Sequence, residues 1–66
     1  MDALDRTLFE IMADLPISTS VKVADAIGTK VSALKTTTVR DLDAYQLIDL
    51  CKASGISADE LLGLPA

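Results

Sequence analysis

The sequence predicts an all-α fold, a compact bundle of five short helices. Three observations carry that reading. Half of the residues are apolar, yet only Phe9 and Tyr45 are aromatic, so the core must come from Leu, Ile, Val and Ala. In several separate stretches the apolar positions recur at i, i+3, i+4 and i+7, the spacing of one helix face. The few glycines and prolines stand between those stretches, not in the clusters that a turn-rich β fold needs. A chain of 66 residues makes a single domain, 1–66. At this length it buries only about 60% of its unfolded surface, so modest stability is expected.

The first helix is expected over residues 2–15. Leu4, Leu8, Ile11, Met12 and Leu15 share one face, and Asp2 or Asp5 suits the positive end of the helix. Pro16 stops it. Phe9 lies off the stripe, as a cover for the core edge or as a self-association contact. Residues 17–20 read as a linker in which Thr19 or Ser20 caps the second helix, 21–27. Val23, Ala24 and Ile27 face the core there, with Lys22 and Asp25 outward. Ala24 is small enough to let another helix approach closely. Gly28 stands where this helix must end, a left-handed position that suits glycine.

Thr29 is the expected cap of a third helix, 30–36. Leu34 returns an apolar side chain to the core, and Val31 is read as a core residue. Lys30, Ser32, Ala33, Lys35 and Thr36 face outward. The β-branched run Thr36, Thr37, Thr38 weakens a helix, so the chain is expected to fray into a loop ending near Asp41, held down by Val39 and Leu42. Arg40 is either free for a partner or ion-paired with Asp41 or Asp43.

The fourth helix, 43–54, opens with the capping-box spacing of Asp43 and Gln46. Ala44, Leu47, Ile48 and Cys51 form its expected buried stripe, with Leu50 beside it and Tyr45 half exposed. Gly55 ends the helix and Ile56 supplies the apolar contact of that cap. Ser57 and Glu60 repeat the capping-box spacing before a fifth helix, 58–62, which Gly63 stops. Leu64 and Pro65 either seal the core or join a dimer interface.

Composition removes several function classes. There is no histidine and one cysteine, Cys51, which excludes a histidine-based triad, an internal disulfide and a Cys/His zinc site. The glycines stand alone at helix ends, so no phosphate-cradling loop is present. The aspartates read as caps or solvated faces. The chain is therefore expected not to be an enzyme and to carry no metal or cofactor. It has no apolar run of the roughly 18 residues that a membrane span needs, and its acidic start is wrong for a signal peptide. A cytoplasmic protein is expected.

The net charge of −4 opposes nucleic-acid binding. Its distribution does not. Between Ser18 and Arg40, Lys22, Lys30, Lys35 and Arg40 stand against Asp25 alone, a balance of +3; nine acids against Arg6 and Lys52 leave −7 elsewhere. Local potential at a docking face matters more than the total.

Two stretches carry a resemblance. VADAIGTKVSAL (23–34) pairs two short helices across a glycine, and LDAYQLIDLCKASGISADELLG (42–63) joins a leucine-rich helix to a Gly-Ile-Ser turn and a short acidic helix ending in Leu-Leu. In this order they resemble the phage repressor and Cro-like (XRE-type) helix-turn-helix family. The resemblance implies a lambda-repressor-like bundle with the helix-turn-helix at about 20–36 and closing helices at about 43–63. It also implies a sequence-specific DNA-binding transcriptional regulator whose helix at about 30–36 enters the major groove of a double-stranded operator. The family's recognition positions fall on Lys30, Val31, Ser32, Lys35 and Thr36. Lys30, Ser32, Lys35 and Thr36 are the candidates for base contacts. Thr19, Ser20, Lys22, Thr38 and Arg40 are candidates for phosphates. A homodimer would double the phosphate contacts. The alternative reading is a protein-binding modulator or antirepressor on the same scaffold, pairing with a partner regulator protein. Its motives are the acidic balance, the apolar Val31, and Ser20 where the family usually has Gln.

Overall fold

Six side chains from across the chain meet in one wholly enclosed layer: Leu8, Val23, Leu34, Val39, Leu50 and Leu61. The structure, a computed structural model, describes residues 2–64. Its four α-helices are α1 (Leu8–Ile11), α2 (Ile17–Ala26), α3 (Ala44–Ser54) and α4 (Ala58–Leu62). Three 3-10 segments, Ala3–Asp5, Val31–Lys35 and Val39–Asp41, complete the order, and the fold is all-α. The radius of gyration of 10.5 Å is close to the roughly 11 Å of a compact chain this long.

The N-terminal segment is not one helix over 2–15. It opens with a 3-10 turn, becomes extended at Arg6 (φ −68°, ψ 139°), and restarts as the four-residue α1. Thr7 causes the restart. Its hydroxyl oxygen accepts from the Glu10 amide at 3.2 Å, an N-cap, and Thr7 forms an isolated antiparallel bridge with Thr38. The Leu8 amide donates to the Thr37 carbonyl at 2.9 Å. The apolar face survives the break. Leu8 and Met12 are buried, and Leu4, Ile11 and Leu15 pack against them.

Arg6 ties the two ends of the described chain together. Its guanidinium donates to the Glu60 and Leu61 carbonyls, both at 3.2 Å, and its Nε to the Ala3 carbonyl at 3.2 Å. These are carbonyls near the C-terminal end of α4, where a cation is favourable. Gly63 closes α4 at φ 73°, and a Cβ there would stand 2.5 Å from that of Ala3. A side chain is thus excluded by backbone strain and by space together.

α3 and α4 begin as expected. Asp43 accepts from the Gln46 amide at 2.8 Å while Gln46 Oε1 accepts from the Asp43 amide at 3.1 Å. Gln46 also donates to the Ile27 carbonyl at 3.3 Å, which fastens α3 to the end of α2. Ser57 caps α4 through the Glu60 amide. Two details of α3 differ from expectation. Its inward face is built on Leu50, with Leu47 and Cys51 partly buried, whereas Ala44 is exposed and Ile48 is 51% exposed. Tyr45 is 81% exposed rather than half. Leu64 is exposed and does not seal the core; Pro65 lies outside the described residues.

Candidate nucleic-acid interface

α2 starts at Ile17, four residues before the expected Val21, because Pro16 opens the helix instead of merely ending the previous one. The Pro16 carbonyl accepts from the Thr19 amide at 2.9 Å. Ser20, Val23, Ala24 and Ile27 then fall at i, i+3, i+4 and i+7 and make the buried face. This corrects two assignments. Thr19 and Ser20 are inside the helix and cap nothing, and Ser20 is buried. A buried hydroxyl has no route to a phosphate.

The turn after α2 is built as its glycine requires. Gly28 has φ 76°; its amide donates to the Asp25 carbonyl at 3.2 Å, and the Thr29 amide reaches back to the Ala24 carbonyl at 2.8 Å. This pair of bonds is the Schellman closure, and it reverses the chain within two residues. Thr29 closes this turn through its backbone amide and does not cap the next element. Lys30 takes the cap position, with no side-chain hydrogen bond.

That next element is a five-residue 3-10 helix, not the α-helix expected over 30–36. The Ala33 carbonyl explains it. It accepts from the amides of Thr36 and Thr37 at 3.1 and 3.0 Å, and from their hydroxyls at 3.2 and 2.8 Å. Threonine hydroxyls that bond back to a helix carbonyl compete with helix propagation, and without a side-chain cap the segment does not lengthen. In a 3-10 helix residues three apart eclipse. Leu34 and Val31 therefore share the inward column: Leu34 is fully buried and Val31 packs against the core from a half-buried position. Lys30, Ser32, Lys35 and Thr36 are exposed.

Their surroundings set what they can do. The Lys35 ammonium lies 5.4 Å from the centroid of the Phe9 ring, a cation–π contact that positions it. Phe9 is itself 47% exposed, so the pair stands on the surface rather than in the core edge. Lys22 is exposed on α2. Val21, Ala24 and Asp25 of α2 face Thr29, Lys30 and Val31 across a shallow open groove.

The two loop residues nominated for phosphates, Thr38 and Arg40, are engaged with carboxylates of the chain itself. Both the amide and the hydroxyl of Thr38 donate to Asp41 Oδ2 at 3.0 Å. The Thr38 amide first, and its hydroxyl second, hold the Asp41 carboxyl below its ordinary value. Arg40 is held by Asp5 at 2.9 Å and Asp2 at 3.3 Å, in place of the expected Asp41 or Asp43. Hydrogen bonding to Asp5 is the main reason its pKa is raised. With Arg40 neutralised, Lys22, Lys30 and Lys35 remain against Asp25, a local balance of +2.

Of the nine nominated residues, Lys22, Lys30, Ser32, Lys35 and Thr36 thus lie at the surface of one α2–turn–3-10 unit. Thr19 is half-buried in the first turn of α2, Ser20 is buried, and Thr38 and Arg40 are engaged with carboxylates of the chain. Several organising residues were overlooked in the sequence. Thr7-x-x-Glu10 and Thr38-x-x-Asp41 both carry capping-box spacing that could have been read. Arg6 gave no local signal of its tie to α4, because those two carbonyls lie more than fifty positions away. Among the described residues no helix is long and apolar enough to cross a membrane, and no cluster of acidic and cysteine side chains could hold a metal ion. Comparison with known proteins found no matching family model, no matching curated protein and no matching solved structure.

Proposed function

We propose that the chain is a DNA-binding transcriptional regulator of the helix-turn-helix type, related to the phage repressor and Cro-like proteins. One observation carries the reading. The α2–Gly28–3-10 unit buries Val23, Ala24 and Leu34 on one side and leaves Lys30, Ser32, Lys35 and Thr36 exposed. Those side chains suit a major groove: lysine for guanine or phosphate, hydroxyls for donors or acceptors of either kind. The 3-10 segment spans about 10 Å at roughly 2.0 Å per residue. At about 3.4 Å of duplex axis per base pair it runs past only about three, so a small number of base pairs per protomer is expected.

Charge limits the affinity. Lys22, Lys30 and Lys35 correspond to a log–log salt slope of about −3 per protomer. Fluorescence anisotropy with duplexes from the native genomic neighbourhood, read against salt, tests this. The expected result is one preferred duplex, bound at low salt and released as salt rises, with Lys35→Glu abolishing binding while the domain stays folded, at the small loss of stability that its contact with the Phe9 ring implies. Failure of every duplex at low salt removes the reading.

A second reading, a protein-binding modulator or antirepressor, is favoured by a different observation. Phe9, Ile17 and Val21 are 47, 70 and 52% exposed beside the same unit. A partner regulator covering them would bind with little dependence on salt, and Ile17→Asp would weaken that binding while sparing DNA.

A further inference from the structure

We propose that Asp2 and Asp5 form an autoinhibitory latch on Arg40, their carboxylates holding the guanidinium that would otherwise take a phosphate of the duplex. The inference rests on the nucleic-acid reading and adds a brake to it. Arg40 Nε donates to Asp5 Oδ1 at 2.9 Å, and a terminal nitrogen of the same guanidinium donates to Asp2 Oδ2 at 3.3 Å. A guanidinium is a planar fork that grips a phosphate through two parallel hydrogen bonds. Here two carboxylates supply one oxygen each and stand in for the two oxygens of a phosphate. The side chains of Arg40, Asp2 and Asp5 are 54, 56 and 51% exposed, so the fork lies at the surface, where a phosphate can compete for it.

The latch is built into the fold. The acids sit on a formed turn, Ala3–Asp5, which Asp2 Oδ1 caps by accepting from the Leu4 amide at 3.0 Å. Arg6 pins that turn from behind, through the Ala3 carbonyl on one side and the carbonyls of α4 on the other. Arg40 sits on the turn Val39–Asp41, which the Thr38–Asp41 capping box holds. The Thr7–Thr38 bridge and a bond from the Val39 amide to the Arg6 carbonyl set the two turns side by side. Charge completes the argument. Two acids meet one cation, so the cluster is left at −1, and a phosphate approaching it is repelled where Arg40 alone would attract it. Arg40 follows Lys35 by five residues, a span of at most about 18 Å. It is therefore close enough to meet the backbone beside a groove that Lys35 enters. Exposed ion pairs are weak, so unlatching leaves the domain folded.

Fluorescence anisotropy against salt tests it, with the preferred duplex and with a mixed-sequence duplex, since a phosphate contact carries no sequence. The variant combines Asp2→Asn with Asp5→Asn; asparagine keeps the oxygen that caps the Leu4 amide. One released phosphate contact should tighten binding about tenfold near 0.1 M salt and steepen the log–log slope from about −3 to about −4. Arg40→Gln should change little in the wild type, where Arg40 is already engaged, and should remove the whole gain from the double variant. Asp49→Asn with Asp59→Asn, which takes the same charge from α3 and α4, should leave the slope as it was. Wild-type binding that the double variant fails to tighten overturns the latch and spares the nucleic-acid reading. So does a gain that survives Arg40→Gln or is matched by the α3 and α4 control, because it then reports net charge alone. Failure of both wild type and double variant on every duplex removes the nucleic-acid reading and the latch with it.

Discussion

The closing half of the molecule and the opening half are held by different kinds of interaction. In α3 and α4 the boundaries are fixed within a few residues: Asp43 with Gln46, Ser57 with Glu60, Gly55 and Gly63 in left-handed closures. From Asp2 to Asp41 local caps at Thr7, Gly28 and Thr38 are joined by ties to distant residues. Arg6 reaches the carbonyls of α4, Arg40 reaches Asp2 and Asp5, and Thr7 pairs with Thr38. Local caps hold even where packing changes. A segment held by distant partners takes the conformation those partners allow, which is how an apolar stripe long enough for one helix becomes a 3-10 turn, a break and the short α1.

The largest expected effect asks whether the two halves are separable. Leu34 belongs to the opening half and Leu50 to the closing one, and both are fully buried in the shared core. Leu34→Ala and Leu50→Ala should each cost about 2–5 kcal/mol, a large fraction of the stability of so small a domain. Urea unfolding followed by circular dichroism should show one transition in both variants. Two transitions would mean that the halves fold independently.

Next in size is Arg6→Met, which keeps apolar length and removes the guanidinium from two carbonyls of α4. A loss of about 1–2 kcal/mol is expected from its partly solvated charged hydrogen bonds. Faster hydrogen exchange should appear at α4 as well as at the N-terminal turn. Asp43→Ala sharpens the contrast, since removing a local cap should cost about 1 kcal/mol with exchange rising at the first turn of α3 alone.

The smallest effect is a pH dependence. The folded pKa of Asp41 is lowered by its bonds to Thr38. Its contribution is therefore complete above the ordinary aspartate range and lost as pH falls through its folded value. Acid titrations of melting temperature should be shallower for Asp41→Asn than for the wild type below that range, and the same above it. Parallel curves throughout would remove Asp41 from the account.

This division also explains what could be read from the sequence. The starts and stops of α3 and α4 were legible because their chemistry is local, and Gly28 announced its turn for the same reason. Ile48 was misplaced because helical periodicity fixes a face only to within a residue, and packing chose Leu50 as its centre. Ser20 read as a cap because hydroxyls favour helix starts, but Pro16 moved the start and left Ser20 on the buried face. The lysines of the candidate interface were legible as exposed cations. The 3-10 form of their helix was not, because four donors converging on the Ala33 carbonyl appear only once the chain has folded.

The most direct test of the central claim is an amide chemical-shift map of the labelled chain titrated with the preferred duplex at low salt. The account predicts perturbations at Lys22 and from Gly28 to Thr36, with α3 and α4 unaffected on the side away from α2. Shifts confined to Tyr45 through Leu62, or none in the 3-10 segment, would contradict it.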